Sequence, residues 1–182
     1  MSIAAILKWL ETTALAVQIR DSLLLFPLLE AIHVIGLALV FGTIIVIDLR
    51  LLGIASSERP FHKVAADILK WTWAAFALTA LTGALMFLTN ATVYYNNFYF
   101  QMKMLLLLLS AVNMLAFELT ARRTVSQWDS ARSAPPAGKR VALASLLIWL
   151  GVIFAGRMIG FTATRPTASA PANEIELEEL FK

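Results

Sequence analysis

The chain has no cysteine among its 182 residues, and only 15% of its residues are charged. Without thiols it can form no disulfide, thiolate metal site or iron–sulfur cluster. It also lacks a glycine-rich phosphate loop, a Walker lysine and any nucleophile–base signature. Basic side chains form no stripe with interleaved aromatic residues, so a nucleic-acid partner is excluded.

Apolar residues are abundant instead, at 59% of the chain. Four continuous apolar runs reach the length of about 20 residues that a helix needs to cross a bilayer. They cover residues 23–47, 71–88, 98–117 and 141–161. Because the runs do not alternate with polar residues, they predict helices and not barrel strands. The sequence therefore predicts an all-α bundle of four transmembrane helices, with the lipid bilayer as its partner.

The first twenty residues have a different pattern, with apolar and polar side chains on opposite faces of a helix. This predicts an amphipathic helix lying at the membrane interface. A signal peptide is the weaker alternative, because there is no basic start, compact apolar core or small-residue cleavage site. We expect three parts: an interfacial helix at 1–20, the transmembrane domain at 21–163, and a flexible acidic tail at 164–182.

Loop charge predicts the orientation of the bundle. Lysine and arginine cluster in the first and third connections, residues 48–70 and 118–140, whereas the second connection, 89–97, has no charge. By the positive-inside rule, both termini should be periplasmic in a bacterial-type inner membrane. The charged residues at the cytoplasmic boundary are interpreted mainly as topology anchors and ion pairs. They are Asp48, Arg50, Lys70, Glu118 and Arg122.

Ionisable residues within the spans are costly in lipid and usually mark a functional site. Glu30 and His33 follow Pro27, which suits the first turn of a helix. Lys103 and Arg157 lie near the outer edges of the third and fourth spans. We therefore expect these four charged or titratable side chains to meet in one layer near the outer face.

Each of these residues also has a simpler explanation. Glu30 would favour a helix N-terminus, Lys103 and Arg157 would extend to the headgroups, and His33 would bond a neighbouring helix. Their shared depth favours a common site over four separate explanations. Gly36, three residues from His33, would let a flat cofactor approach the backbone.

Haem b is the cofactor that this layer predicts. A neutral imidazole in an apolar bundle is a good axial ligand for haem iron, so His33 is the expected metal ligand. Lys103 and Arg157 would bind the propionates. His62 lies in the first connection, so a second histidine within the chain is not available. The haem iron is then five-coordinate, or its second axial ligand is Met86, Met158 or the His33 of a second copy.

Several stretches resemble the HemJ/CopD-like membrane families, and also small uncharacterised bacterial inner-membrane proteins. They are AIHVIGLALVFG at 31–42, DLRLLG at 48–53, TGALM at 82–86 and FQMKMLLL at 100–107. The resemblance covers residues 24–160. It implies haem-b-dependent protoporphyrinogen oxidation or copper import, with the family's histidine, lysine and arginine at His33, Lys103 and Arg50. Asp48 departs from the pattern, because HemJ-like proteins have a proline near this position.

Three hypotheses follow. The protein is a haem-b redox protein, a non-catalytic subunit or assembly factor of a larger membrane complex, or a small transporter of copper or another solute. The methionines are scattered and do not form the Met and His cluster that a copper path needs. Enzymatic activity, catalytic residues and homo-oligomer formation are left open.

Overall fold

The computed structural model describes residues 2–56 and 58–163. The expectation of an all-α fold with four long apolar helices is confirmed. The expected acidic tail at 164–182 lies outside the described residues. The elements are the α-helices α1 to α8 and one 3-10 turn at Arg122–Thr124. The α-helices are α1 (Ile3–Glu11), α2 (Ala14–Asp21), α3 (Leu25–Leu52), α4 (Phe61–Thr89), α5 (Ala91–Asn96), α6 (Phe98–Leu119), α7 (Val125–Trp128) and α8 (Pro136–Thr162).

The four helices long and apolar enough to span a membrane are α3, α4, α6 and α8. Helix α3 packs against both α4 and α8, and α6 packs against α8. We call the two ends of this bundle the His33 end, where α3 and α6 begin, and the Arg50 end, where α4 and α8 begin. Two buried apolar clusters hold the bundle, one at the Arg50 end around Phe61 and Trp128 and one in the middle around Val40 and Trp149.

Two of the long helices begin earlier than their apolar runs. Helix α4 begins at Phe61, ten residues before the predicted span at 71, and α8 begins at Pro136, five residues before 141. The first turns of both helices carry lysine or arginine, which hydropathy does not score as membrane core. Hydropathy therefore predicts the apolar part of each helix and misses the polar turns that precede it.

The N-terminal segment forms two short helices where one was expected. Helix α1 ends at Glu11, and the Thr13 hydroxyl accepts a hydrogen bond from the Ala16 backbone N–H at 3.3 Å, which caps α2. Glu11 reaches across and accepts the Thr92 backbone N–H at 2.7 Å, which caps α5. One side of this segment is thus attached to the bundle. Its position at a membrane interface stays a prediction.

Arg50 holds the first and third connections together at one end of the bundle. Its side chain is fully buried, at 0% exposure. Its guanidinium donates to the backbone carbonyls of Arg59, Asp129 and Ala131 at 2.9, 3.1 and 3.0 Å, and to Arg132 at 3.4 Å. Arg50 forms no ion pair among the described residues, which differs from the ion-pair part of its interpretation, because carbonyl dipoles take the place of water around it. Its role as a topology anchor stays a prediction.

Gly53 ends α3 in a left-handed conformation, with φ of 78°. A Cβ atom at this position would lie 2.7 Å from Ser133 Cβ and 2.9 Å from the Arg132 carbonyl oxygen. Next to this contact, the Ala134 N–H donates to the Leu51 carbonyl at 2.9 Å. Glycine is needed here for its backbone conformation and for the close approach of the third connection.

Arg50→Ala should be strongly destabilising. The substitution leaves four buried carbonyls without their donor and opens a void, so we expect a loss of about 3 kcal/mol or more in the free energy of unfolding. Unfolding of the purified protein in detergent would measure it. Arg59→Ala is the matched control, since it keeps the backbone carbonyl and breaks only an exposed ion pair with Asp67, which contributes less than about 1 kcal/mol. Equal losses in both variants would contradict the role given to Arg50.

Asp129 should make the stability depend on acid pH. Its carboxylate accepts the His62 backbone N–H at 2.8 Å and contacts the His62 ring nitrogen Nδ1 at 2.6 Å. The backbone hydrogen bond is the main cause that lowers the pKa of Asp129 below its ordinary value of 3.8. A carboxyl with a depressed pKa stabilises the fold above its unfolded pKa, and this stabilisation is lost as pH falls through the folded pKa.

We therefore expect the melting temperature to fall when the pH is lowered below about 4, and to fall less in Asp129→Asn. Thermal unfolding between about pH 2 and pH 7 would measure it. Asp67→Asn, which removes an exposed carboxylate, serves as the control and should keep the wild-type profile. An acid response in Asp129→Asn as steep as in wild type would refute the assignment.

Candidate functional site

His33 lies on α3 with its imidazole half-buried against α4. Its Nδ1 atom is 3.1 Å from the Thr82 hydroxyl oxygen. The Thr82 hydroxyl proton is directed at the helix carbonyls of Leu78 and Thr79, at 2.9 and 3.1 Å. The Thr82 oxygen is then left as the acceptor of the Nδ1–H group. This arrangement gives the imidazole a proton on Nδ1 and a lone pair on Nε2, which is the form that binds metals.

Two glycines bring α3 and α4 close together beside this histidine. A Cβ atom on Gly83 would lie 2.9 Å from His33 Cε1. A Cβ atom on Gly36 would collide with the Thr79 hydroxyl oxygen. Gly36 is buried and faces α4. The expectation that Gly36 gives a cofactor access to the backbone therefore differs from the structure, in which the missing side chain serves helix packing.

Lys103 approaches His33 from α6. Its half-buried side chain runs along α8, where a Cβ atom on Gly156 would lie 3.8 Å from the Lys103 Nζ atom. The ammonium group is close enough to the imidazole for an electrostatic interaction. Among the described residues, no carboxylate forms an ion pair with Lys103. The structure thus places a histidine and a lysine from two different spans within the range of an electrostatic interaction, without a direct contact.

Glu30 and Arg157 are not part of this interior pair, because both side chains are exposed. The Arg157 guanidinium lies over the Phe161 ring, 4.7 Å from its centroid, as a cation–π contact one turn along α8. Charged side chains near helix ends reach the surface at little cost, which explains their outward direction. Met86 is half-buried on α4, one turn beyond Thr82. The expected layer of four residues is therefore reduced to His33 and Lys103.

A cavity of about 770 Å³ lies between α4 and α6 toward the Arg50 end. Its walls are mostly apolar and aromatic, and His33 is not among its lining residues. Asp48 lines this cavity and is only 5% exposed, although the sequence analysis interpreted it as an anchor at the membrane boundary. The sequence signal for it was present, since Asp48 is a carboxylate that follows a continuous apolar stretch within helix α3.

Metal binding through several side chains is not supported in the described part of the chain. No group of three or more His, Cys, Asp or Glu residues is positioned there to hold a metal ion. The predicted ligand His33 stands as a single imidazole.

The four candidate spans define a polytopic membrane protein. The chain belongs to the DUF6644 family, a family of unknown function whose model matches residues 6–162. The matched residues include all four long helices. They also include His33 and Lys103 and the cavity that Asp48 lines. No curated protein and no solved structure matches the chain.

Gly83→Ala should disturb the contact between α3 and α4 and displace the imidazole. We expect a loss of about 1 to 3 kcal/mol in the free energy of unfolding, because the new methyl group overlaps the His33 ring. Gly42→Ala is the matched control, since no atom lies within 4 Å of its added Cβ atom. It should be neutral or stabilising by up to about 1 kcal/mol. Unfolding in detergent would compare them, and equal effects would argue against the packing described.

Proposed function

We propose that the protein binds haem b through His33 and acts in membrane redox chemistry or electron transfer. The supporting observation is the separation of 3.1 Å between His33 Nδ1 and the Thr82 hydroxyl oxygen, a hydrogen bond in which we assign the proton to Nδ1. Histidines that bind metals usually donate their other ring N–H to an oxygen, which fixes the ring and its tautomer. His33 would then ligate iron through Nε2.

Cations are also available for the haem propionates. Lys103 is half-buried and has no carboxylate partner among the described residues, so a propionate would compensate its charge. Arg157 is exposed at the His33 end and would bind a propionate at the membrane surface. Met86 would serve as a second axial ligand. When bound, haem supplies one-electron chemistry whose potential depends on these neighbours.

The remaining predicted contacts fit this group less well. Glu30 is an exposed carboxylate and would repel a propionate, and Gly36 is occupied by helix packing. Arg50, the position implied by the resemblance to HemJ-like proteins, donates to backbone carbonyls at the opposite end of the bundle. Oxidation of a porphyrinogen, as in HemJ-like proteins, is therefore the narrower form of the proposal, and only His33 and Lys103 support it.

The absorption spectrum of the purified protein tests the proposal directly. The full chain, expressed with added haem precursor and purified in detergent, should show a Soret band that shifts on reduction. His33→Ala should remove the band, while His62→Ala should keep it because His62 is exposed at the Arg50 end. Thr82→Val should lower haem affinity by roughly tenfold or more, as expected when a group that orients a metal-bound histidine is lost.

A colourless wild-type protein would overturn the proposal, and further measurements would then select between the other hypotheses. Copurification with a stoichiometric membrane partner would indicate a subunit or assembly factor. Movement of copper or another solute into liposomes would indicate a transporter. A Soret band that persists unchanged in His33→Ala would also contradict the site, even if haem is bound elsewhere.

A further inference from the structure

The cavity at the Arg50 end has the size and lining of a ligand site. Its volume of about 770 Å³ falls within the range of roughly 300 to 1,000 Å³ that is typical for small-molecule pockets. Five aromatic side chains contribute to its walls. They are Phe61, Trp73, Phe76, Phe117 and Trp149.

Asp48 contributes the one acidic group buried in this wall. Ser145 on α8 lies beside its carboxyl group and also lines the cavity. The second carboxyl oxygen, Oδ2, is buried and has no hydrogen-bond partner among the described residues. Arg50, two residues further on, donates to backbone carbonyls and forms no ion pair with Asp48. The carboxyl group therefore has no cation to balance it in the described part of the chain.

The other polar groups that line the cavity are already engaged. Ser110 donates to the Leu107 carbonyl at 2.8 Å, and Asn113 donates to the Val141 carbonyl at 3.1 Å. Glu118 forms an ion pair with Arg122 on the same side of the bundle. Asp48 thus remains the group without a counter-charge, and its ionised form would need a cation close by in this apolar environment.

We propose that this cavity binds a lipophilic cation, namely an organic ammonium or phosphonium ion with a bulky apolar body. The apolar walls would cover the body, and the aromatic faces together with the Asp48 carboxylate would stabilise the charge. Trp73 is 53% exposed and Met114 is 42% exposed while both line the cavity. The opening therefore lies between α4 and α6, on a side of the bundle that faces lipid. Because His33 does not line the cavity, this site is separate from the proposed haem site.

Tetraphenylphosphonium and tetraphenylborate provide a matched pair of probes, because they share one shape and carry opposite charges. Equilibrium dialysis of the full chain in a neutral detergent would measure the binding of each ion. We expect tetraphenylphosphonium to bind with at least about tenfold higher affinity than tetraphenylborate, because only the cation is attracted to the carboxylate. Asp48→Asn, which keeps the shape of the side chain, should abolish this preference. Asp67→Asn removes an exposed carboxylate outside the cavity lining and should preserve it.

A second variant keeps the test decisive if Asp48→Asn does not fold. Ala111 lines the cavity on α6 and is exposed, so Ala111→Trp should fill part of the space and weaken binding of the cation without removing a charge. Equal binding of both ions to the wild-type protein would overturn the proposal. If Asp48→Asn folds, a cation affinity at the wild-type level in this variant would also overturn the proposal. If Asp48→Asn does not fold, a wild-type cation affinity in Ala111→Trp would overturn it. The Soret band in the same variants would show separately whether the haem site is intact.

Discussion

The buried guanidinium of Arg50 and the backbone carbonyls around it determine the architecture at one end of the bundle. The acceptors come from two parts of the chain that are far apart in sequence. Arg59 precedes α4, whereas Asp129, Ala131 and Arg132 precede α8. One side chain therefore fixes where α4 and α8 begin relative to the end of α3. The α4–α6 cavity depends on this arrangement, because Phe61 and Asp48 both line it close to the Arg50 contacts.

The arrangement also explains why an arginine is suitable at this position. Its planar group offers several donors in fixed directions, and four carbonyls from two connections use them. A lysine would present a compact charge with fewer fixed directions. The neighbouring Gly53 supports the same contact, because a Cβ atom there would push the third connection away from α3. The two connections thus fit against α3 because the Arg50 guanidinium is buried between them and because Gly53 has no side chain.

The sequence predicted the parts of the fold that depend on local composition. Four spans follow from hydropathy alone, because a run of apolar residues must be helical in lipid. The carbonyl cage around Arg50 could not be predicted in this way, since its acceptors lie up to 82 residues away in the chain. The burial of Arg50 and Asp48 was not predicted from their position near a span end, because a boundary position and a buried position look alike in sequence.

The candidate site was predictable to a similar degree. The depth of His33 and Lys103 in their spans follows from residue counting, and in the structure the two groups are within electrostatic range of each other. The outward direction of Glu30 and Arg157 depends on helix rotation, which depth does not determine. The partner of His33 was hidden for the same reason, since Thr82 was only one of several small or polar residues along α4.

The interior of the bundle has a basic side chain, Lys103, at one level and an acidic side chain, Asp48, at the other. This difference separates the ligands that each level would accept. Lys103 lies one helical turn from Leu107 on α6, and Leu107 lines the cavity, so the Lys103 backbone is about 6 Å along the helix axis from a residue of the cavity wall. Asp48 lies toward the other end of the same cavity. An anionic group such as a propionate is favoured near Lys103, and a cation is favoured near Asp48. The two proposed sites therefore do not compete for one ligand, and a cation in the cavity is held toward the Arg50 end by attraction to Asp48 and by repulsion from Lys103.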